Sequence, residues 1–255
     1  MVMSRDTDAD WSKIAKENPY WGVLSHDDYL GTDLEQSLKE RFLLSGQNYF
    51  KNLLGFIHHH IQPDFKIVRG LDFGCGVGRL LIPLAEHAER AVGVDVAPNM
   101  LELTRKHLSE RGISNTDLVL GDDTLSRVTG TYNFVNSYIV LQHIPPERGM
   151  RLIRRMLQLL DVGGVFSLHL TYAKERKFFM HEQGRASYYR RSGNVIHDLD
   201  PAETETPEGT ITMFDYDLNE VIAVISEVAG HPLLILPTNH GGHLGVQAIG
   251  IKARG

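Results

Sequence analysis

From about residue 66 onward, short apolar runs alternate with longer segments in which apolar residues recur every three to four positions. The short runs predict strands at 66–73, 91–95, 116–121, 132–140, 163–172, 232–238 and 244–252. The longer segments predict helices near 78–89, 98–112, 146–161 and 217–229. This alternation is typical of an α/β fold in which helices cover both faces of a mostly parallel sheet.

Two segments fall outside this alternation. We expect residues 1–62, with a helical run at about 34–60, to form an N-terminal helical extension that acts as a lid. Residues 63–255 then form the main domain, in which the segment at about 173–216 is far longer than the usual connection after a strand. Loops that follow parallel strands gather at the carboxyl edge of the sheet, so we expect this insert to contact a ligand.

A glycine loop follows the first predicted strand. Gly74, Gly76 and Gly78 alternate there, and a helical pattern resumes after them. Glycines at such a position permit positive φ and a close approach of the backbone to a ligand. The spacing differs from the G-x-G-x-x-G of dinucleotide-binding loops, since Arg79 stands where the third glycine would be. Asp72, two residues before the first glycine, would repel phosphates and attract a cationic ligand.

Two further predicted strands end in carboxylates. Asp95 closes the second strand 21 residues after Gly74, where an acidic side chain can accept both hydroxyls of a ribose. Asp122 and Asp123 close the third strand. A structural alternative exists for two of them, since Asp95 could cap the helix that begins near Pro98, and Asp122 could cap a short helix after the third strand.

The glycine loop, these strand ends and the segment 132–146, in this order, resemble class I S-adenosylmethionine-dependent methyltransferases. The resemblance implies a seven-stranded, mostly parallel sheet with a reversed last strand, which the glycine-rich turn at 238–243 would introduce. It also implies S-adenosyl-L-methionine as cofactor and S-adenosyl-L-homocysteine as product. The residues that it places around the cofactor are Asp72, Gly74, Cys75, Gly76, Asp95, Val96, Asp122, Asp123 and Ser137, with either Asp122 or Asp123 against the adenine.

Candidate acceptor-binding residues come from the two inserts and from the ends of the fourth and fifth strands. They are Tyr20, Trp21, Tyr138, Tyr172, Arg185, Tyr188 and Tyr189. Aromatic residues with arginines in the second insert suit a sugar, a phosphorylated sugar or an anionic aromatic acceptor; the alternative is a lid that packs through its own aromatic residues. Asn133 departs from the family, in which many members carry aspartate, so no role is assigned to a carboxylate there.

Four of the thirteen histidines fall near the carboxyl edge. His143 resembles a family position close to the substrate and is the first candidate for a base or acceptor-orienting group; His169, His240 and His243 are further candidates. A hydroxyl loses its proton as it attacks, so a base of near-neutral pKa assists it, whereas a neutral amine needs no strong base. Each role has a structural alternative: His143 could be a loop residue that hydrogen-bonds to the backbone, and His240 and His243 could simply form the turn. No spacing predicts a metal site.

The composition of this chain of 255 residues indicates its class, its compartment and its partners. Hydrophobic residues make up 42% and charged residues 23%, as in ordinary globular enzymes, and no apolar run approaches the ~20 residues of a membrane span. The single cysteine fits a reducing compartment, so we expect a cytoplasmic protein. A net charge of −6 argues against a nucleic acid partner. The nearest candidate for a basic surface in the sequence is Arg148, Arg151, Arg154 and Arg155. We interpret it as a solvated helix face; the alternative is a site for a phosphate or a partner.

Together these features predict a methyltransferase that acts on a small-molecule acceptor, at a hydroxyl oxygen. An N-methyltransferase is the first alternative, and a non-catalytic regulator or scaffold that binds S-adenosylmethionine is the second. A nicotinamide-dependent oxidoreductase ranks last because of the glycine spacing. The acceptor and the oligomeric state stay open.

Overall fold

The computed structural model describes residues 7–175, 211–230 and 233–254, together with the backbone at 187–189 and 195–197. Its helices are α1 (Thr7–Glu17), α2 (Pro19–Val23), α3 (Gln36–His60), α4 (Leu81–His87), α5 (Pro98–Glu110), α6 (Pro146–Leu159) and α7 (Leu218–Val228). Its strands are β1 (Ile67–Phe73), β2 (Ala88–Asp95), β3 (Thr116–Leu120), β4 (Tyr132–Ser137), β5 (Leu160–Lys174), β6 (Ser187–Tyr189), β7 (Val195–His197), β8 (Leu233–His240) and β9 (His243–Ile251). The predicted strands and helices are therefore present, with shifted ends.

One sheet organises the molecule, with the strand order β3-β2-β1-β4-β5-β9-β8. The pairs from β3 to β5 are all parallel, whereas β9 runs antiparallel to both β5 and β8. Gly241 and Gly242 form the turn between β8 and β9, and both adopt positive φ, which a two-residue hairpin turn of this kind requires. The predicted seven-stranded sheet with a reversed last strand is confirmed.

The helix after the glycine loop differs from its prediction. It begins at Leu81 instead of residue 78, because Gly74, Gly76 and Gly78 all adopt positive φ and keep the loop out of helical geometry. Pro83 then falls in the first turn, where a missing backbone N–H leaves no helical hydrogen bond unmade. Pro83 is therefore compatible with the first turn of α4.

Helices cover the sheet on both faces. On one face, Phe50 and Ile57 of α3 pack with Phe134 of β4 and Ile249 of β9. On the other face, α6 and α7 pack against the apolar side of β5, which includes Leu168. Successive side chains of a strand point to opposite faces of the sheet, so Ser167 and His169 point away from Leu168 and toward α3. Both are fully buried, and they place polar groups between α3 and the sheet.

Asn133 lies at the amino end of β4, away from the ligand-binding edge. Its Oδ1 accepts hydrogen bonds from the backbone N–H groups of Val68 and Arg69 at 2.9 and 3.0 Å, and its Nδ2 donates to the carbonyl of Lys66 at 2.7 Å. An amide can both donate and accept, whereas a carboxylate can only accept. Asn133 therefore holds the starts of β1 and β4 together. Because these bonds need both a donor and an acceptor, an amide suits this position.

Candidate active site at the carboxyl edge of the sheet

A cavity of about 820 Å³, part of it open to solvent, lies at the carboxyl edge of β1, β2 and β4. The cavity is bounded by the glycine loop, the end of β2, the segment 138–144, the start of α6 and the N-terminal helices α1 and α2.

Gly74 and Gly76 bring the backbone to the cavity surface. Both adopt positive φ, at 76° and 54°. A Cβ at Gly74 would lie 2.3 Å from a methyl carbon of Val140, and one at Gly76 would lie 2.7 Å from a methyl carbon of Val23. Both neighbours also line the cavity, so side chains at these glycines would fill space at its edge. The loop therefore forms a backbone cradle that only glycine allows.

Asp95 lines the cavity beside this loop. Its Oδ2 accepts a hydrogen bond from the N–H of Gly76, and its Oδ1 accepts one from the N–H of Ala97, each at 2.9 Å. Burial raises the pKa of Asp95 to about 6, although these backbone N–H groups favour the charged form. Each oxygen keeps capacity for a further hydrogen bond, so the carboxylate can accept two hydroxyl groups of a ligand. Val96 also lines the cavity.

Three further predicted cofactor residues lie behind the cavity surface. Asp72 accepts a hydrogen bond from Nδ2 of Asn136 at 2.8 Å, and burial raises its pKa to about 7. Cys75 is buried, which raises the pKa of its thiol, and only its backbone shares the glycine loop. Ser137 is fully buried at the end of β4, and the described part of the chain gives its hydroxyl no hydrogen-bond partner.

Asp122 lines the cavity, but its carboxylate organises its own turn. It accepts hydrogen bonds from the backbone N–H and hydroxyl groups of Thr124 and Ser126, at 2.6 to 3.1 Å, which hold the pKa of Asp122 below its usual range. The structural alternative for Asp122 was that it caps a short helix; its carboxylate instead caps the turn that follows β3. The carboxylate of Asp123 instead lies 2.5 Å from Nε of Arg148.

Arg148 corrects the prediction of a solvated arginine face. Its side chain is 15% exposed and lines the cavity from the start of α6. Two parallel hydrogen bonds of 2.7 and 2.6 Å join it to Asp8 of α1, and Asp123 contacts its Nε. Arg148 therefore links α1 to the loop after β3. The surface interpretation suits Arg154, which pairs with Glu227 in an exposed position.

His143 lies at the cavity surface opposite the glycine loop. Its Nδ1–H donates to the carbonyl of Thr212 at 3.1 Å, so Nε2 is the acceptor; the amide of Gln142 lies 3.3 Å from it. Trp11 of α1 contacts the ring edge-on with centroids 5.0 Å apart. Burial lowers the pKa of His143 to about 4, so the imidazole is neutral at physiological pH.

The other candidate histidines lie toward the β8–β9 hairpin. His169 and His240 have ring centroids 5.0 Å apart, and Tyr138, which lines the cavity, contacts both. Nε2 of His169 lies 2.9 Å from the hydroxyl of Thr238, and burial lowers the pKa of His169 to about 3. His243 begins β9 directly opposite His240. These histidines adjoin Tyr138 or the hairpin and do not line the cavity.

Several predicted acceptor-binding residues lie elsewhere. Tyr20 is buried in the N-terminal core, where its hydroxyl donates to Nε2 of His107 at 2.8 Å. Trp21 packs against the same core, and Tyr172 packs against the core on the α6 side of the sheet. Arg185 and the side chains of Tyr188 and Tyr189 lie outside the described residues. In place of Tyr20 and Trp21, the cavity is lined by the adjacent Gly22 and Val23.

The cavity lining includes three residues of α1 and two arginines that were not predicted there: Thr7, Asp8, Trp11, Arg79 and Arg148. The irregular glycine spacing singled out Arg79, but no local pattern marks α1. Within the described residues, no cluster of three or more metal-ligating side chains occurs. The helices of the described chain include none with the length and apolar character needed to cross a bilayer.

A family model described as a methyltransferase domain matches residues 71–164, which confirms the predicted resemblance. The sheet order with its reversed β9 is shared with a solved methyltransferase structure, so the predicted fold is confirmed as well. The domain match covers the glycine loop, Asp95, both acidic residues after β3 and His143.

Curated relatives are similar over part of their length. The chain is 35% identical over 98 residues to a ubiquinone biosynthesis O-methyltransferase of Methylocella silvestris, covering 38% of each chain. It is 38% identical over 101 residues to the aklanonic acid methyltransferase DauC of Streptomyces sp. (strain C5), covering 38% of this chain and 44% of DauC. A sterol 4-C-methyltransferase of Caenorhabditis elegans is 27% identical over 158 residues, covering 59% of this chain and 45% of that enzyme. The matches thus span less than half of each relative.

A solved structure shares the fold. Magnesium protoporphyrin IX methyltransferase from Synechocystis PCC 6803, with bound S-adenosylmethionine, superposes with a TM-score of 0.60 at 15% identity. The superposition covers 98% of this chain and 100% of that one. The cofactor in that structure is the one that the sequence predicts here.

Proposed function

We propose that the protein is an S-adenosylmethionine-dependent methyltransferase that transfers a methyl group to a hydroxyl oxygen of a small molecule. The observation that carries this proposal is the pairing of Asp95 with the N–H of Gly76 at the edge of the cavity. It combines a glycine cradle for an extended ligand with a carboxylate that can accept the two hydroxyls of a ribose. The matched methyltransferase domain includes both residues.

The cofactor would lie against the donor side of the cavity, which consists of Gly74, Gly76, Asp95, Val96 and Asp122. The residues present fit it. Asp95 would accept the ribose hydroxyls, and the backbone after Asp95 and at Asp122 would contact the adenine. When bound, the cofactor supplies a methyl group already activated on a sulfonium, so the protein's task is to align an acceptor behind that carbon.

The acceptor side of the cavity consists of Trp11, Tyr138, His143 and Arg148. Since Nδ1–H of His143 is bonded to a carbonyl, Nε2 is the acceptor nitrogen, and an acceptor hydroxyl would take the place of the Gln142 amide that lies 3.3 Å from it. A pKa of about 4 makes His143 a weak base, so its role in this proposal is to orient the hydroxyl and polarise its O–H bond. As the methyl group moved to the acceptor oxygen, its bond to the sulfonium sulfur would break, S-adenosylhomocysteine would be the leaving group, and the hydroxyl proton would pass to solvent.

A small acceptor fits the enclosure of the site better than a macromolecule. The α1 segment lies over the cavity and is held by Arg148, so residues 1–62 serve as a lid in this proposal. The names of the matched relatives refer to ubiquinone biosynthesis, aklanonic acid and sterols, all of which concern small molecules. The single cysteine, buried in the glycine loop, is in keeping with a cytoplasmic setting.

The test is incubation of the protein with methyl-labelled S-adenosylmethionine and a size-fractionated extract of its source organism. We expect label in the low-mass fraction, and mass spectrometry of the labelled compound identifies the methylated atom. Label confined to protein or nucleic acid would contradict a small-molecule acceptor. Absence of donor consumption together with tight S-adenosylhomocysteine binding would favour the non-catalytic regulator or scaffold.

N-methylation is the second candidate, because a neutral His143 is also suited to orient an amine. The two reactions differ in how the rate depends on pH. For a hydroxyl acceptor, kcat/KM falls as pH decreases toward the pKa of His143, and this step disappears in His143→Ala. For an amine acceptor, the rate follows the pKa of the amine itself in both proteins, and the variant changes only KM.

A further inference from the structure

The segment that follows the second insert lies along the turn that carries His143. Residues 211–217, here called the return segment, lead from the insert to the start of α7. The carbonyl of Thr212 accepts the Nδ1–H of His143 at 3.1 Å, and the N–H of Phe214 donates to the carbonyl of Gln142 at 2.7 Å. The return segment therefore bonds both to the imidazole on the acceptor side of the cavity and to the backbone beside it.

Tyr216 of the return segment holds this turn at both ends. Leu141–His143 forms a single 3₁₀ turn, closed by a 2.9 Å hydrogen bond from the N–H of Ile144 to the carbonyl of Leu141. The hydroxyl of Tyr216 lies 2.8 Å from the carbonyl oxygen of Leu141 and 2.9 Å from that of Ile144. Burial raises the pKa of the Tyr216 phenol above its usual range, so the hydroxyl stays a donor. A Cβ at Gly149 would lie 1.8 Å from this hydroxyl oxygen, so only glycine leaves room for it.

The return segment is anchored to β5 without the Tyr216 hydroxyl. The backbone N–H of Tyr216 donates to the carbonyl of Thr171 at 2.8 Å, and the hydroxyl of Thr171 donates to the carbonyl of Phe214 at 2.8 Å. A buried ion pair between Lys174 and Asp215 joins the same two segments. Because these contacts hold the return segment to the sheet, the Tyr216 hydroxyl has a separate effect, which is to align the turn with the return segment.

This alignment sets the tautomer of His143. A neutral imidazole carries its proton on either nitrogen, and the hydrogen bond from Nδ1–H to the carbonyl of Thr212 selects the form in which Nε2 accepts. That bond runs from the turn to the return segment, so it depends on how the two lie against each other. A displacement of about 1 Å at a group that orients a reactant can slow a reaction about a hundredfold.

We infer that Tyr216 is a positioning residue for methyl transfer, which keeps Nε2 of His143 directed at the acceptor hydroxyl by holding the turn against the return segment. This inference rests on the proposed function. Tyr216 does not line the cavity, so it acts through His143 and not by contact with a ligand. The donor side of the cavity has no bond to its hydroxyl, so cofactor binding should not depend on it.

The test removes the hydroxyl and keeps the ring. Tyr216→Phe is compared with the wild type and with Tyr132→Phe, in which a buried tyrosine at the amino end of β4 loses a hydroxyl that donates to the carbonyl of Thr129. Nitrogen-15 NMR of the imidazoles reports the tautomer of His143, whose signals are assigned by their loss in His143→Ala. Methyl transfer is measured with labelled S-adenosylmethionine and the low-mass fraction of the source extract, and S-adenosylhomocysteine affinity is measured by calorimetry.

We expect the wild type and Tyr132→Phe to carry the His143 proton at Nδ1 alone. In Tyr216→Phe, a second form protonated at Nε2 should appear, and the transfer rate should fall about tenfold while S-adenosylhomocysteine affinity stays unchanged. Thr171→Val loosens the return segment from β5 instead, so we expect a smaller change in the same direction. This second variant applies the same test if Tyr216→Phe does not fold.

An unchanged imidazole spectrum or an unchanged transfer rate in Tyr216→Phe would overturn the inference. An equal loss in Tyr132→Phe, or a parallel loss of S-adenosylhomocysteine affinity in Tyr216→Phe, would also overturn it, because the hydroxyl would then only support the fold. A wild type that transfers no label to the low-mass fraction contradicts the proposed function instead, since that result does not involve the variants.

Discussion

On the donor side of the cavity, polar groups are held by backbone that is close in sequence, whereas the acceptor side is assembled from distant segments. Asp95 is bonded to Gly76 and Ala97, at most 19 residues away. Arg148 is bonded to Asp8, 140 residues away, and Tyr138 contacts His240, 102 residues away. The donor side is thus part of the sheet, and the acceptor side depends on how α1 and the β8–β9 hairpin dock.

This difference explains how much the sequence could predict. Asp95 and the glycine loop belong to a strand–loop–helix pattern whose geometry follows from the parallel sheet, so both reach the cavity as expected. The lid stays a prediction, and within that N-terminal segment the cavity is lined by Trp11, Gly22 and Val23 instead of Tyr20 and Trp21. Aromatic side chains suit a helical core as well as a ligand site, and the packing of α2 against α5 decides the outcome for Tyr20.

Charged residues were harder to predict than apolar ones. Helical spacing shows that Arg148 can share a face with other arginines, but it does not show that Asp8 and Asp123 dock against it. Asp122 is a similar case. Its position at a strand end indicates a contact with a ligand, with local capping only as the alternative. Its carboxylate nevertheless accepts hydrogen bonds from Thr124 and Ser126.

The largest expected effect comes from breaking the donor side at Asp95. Asp95→Ala removes the carboxylate that accepts the N–H of Gly76 and, in the proposed complex, two hydrogen bonds to the ribose. Since hydrogen bonds to charged groups contribute ~1.5–3 kcal/mol each, we expect S-adenosylhomocysteine affinity to fall about a hundredfold or more. Calorimetry measures this change. Asp117→Asn, at an exposed ion pair, is the matched control, and an Asp95→Ala protein with wild-type affinity would refute the assignment.

The next largest effect is expected at Asp72, in how the free energy of unfolding depends on pH. Its pKa rises from 3.8 to about 7 on folding, so its stabilisation is fully present below pH 3.8 and is lost as pH rises through about 7. Asp72→Asn does not titrate, so we expect it to gain about 2 kcal/mol in unfolding free energy relative to the wild type between pH 5 and pH 8. Urea unfolding at both pH values measures this difference, and an equal difference at both would contradict the burial argument.

Arg148 tests the lid on the acceptor side. Arg148→Gln removes the ion pairs with Asp8 and Asp123 and should increase amide hydrogen exchange in α1. Because partly exposed ion pairs contribute ~1 kcal/mol, we expect cofactor affinity to fall only about fivefold to tenfold. Arg154→Gln, which breaks the exposed pair with Glu227, is the control. Unchanged exchange in α1 would show that this linkage does not hold the lid.

The smallest effect on donor binding is expected at His240. His240→Phe keeps a ring beside Tyr138 and His169 but removes the nitrogen that lies 3.4 Å from the hydroxyl of Tyr138. We expect unchanged S-adenosylhomocysteine affinity and a several-fold loss of turnover, about 1 kcal/mol for one neutral hydrogen bond. A loss of cofactor affinity without a loss of turnover would place His240 on the donor side and remove the distinction between the two sides.

The most direct measurement is a crystal structure of the protein with S-adenosylhomocysteine. We expect the ligand along the glycine loop, with its ribose hydroxyls within hydrogen-bond distance of the Asp95 carboxylate and its sulfur facing the side of the cavity formed by Tyr138 and His143. A ligand bound elsewhere, or one in this cavity whose ribose does not contact Asp95, would contradict the proposed donor site.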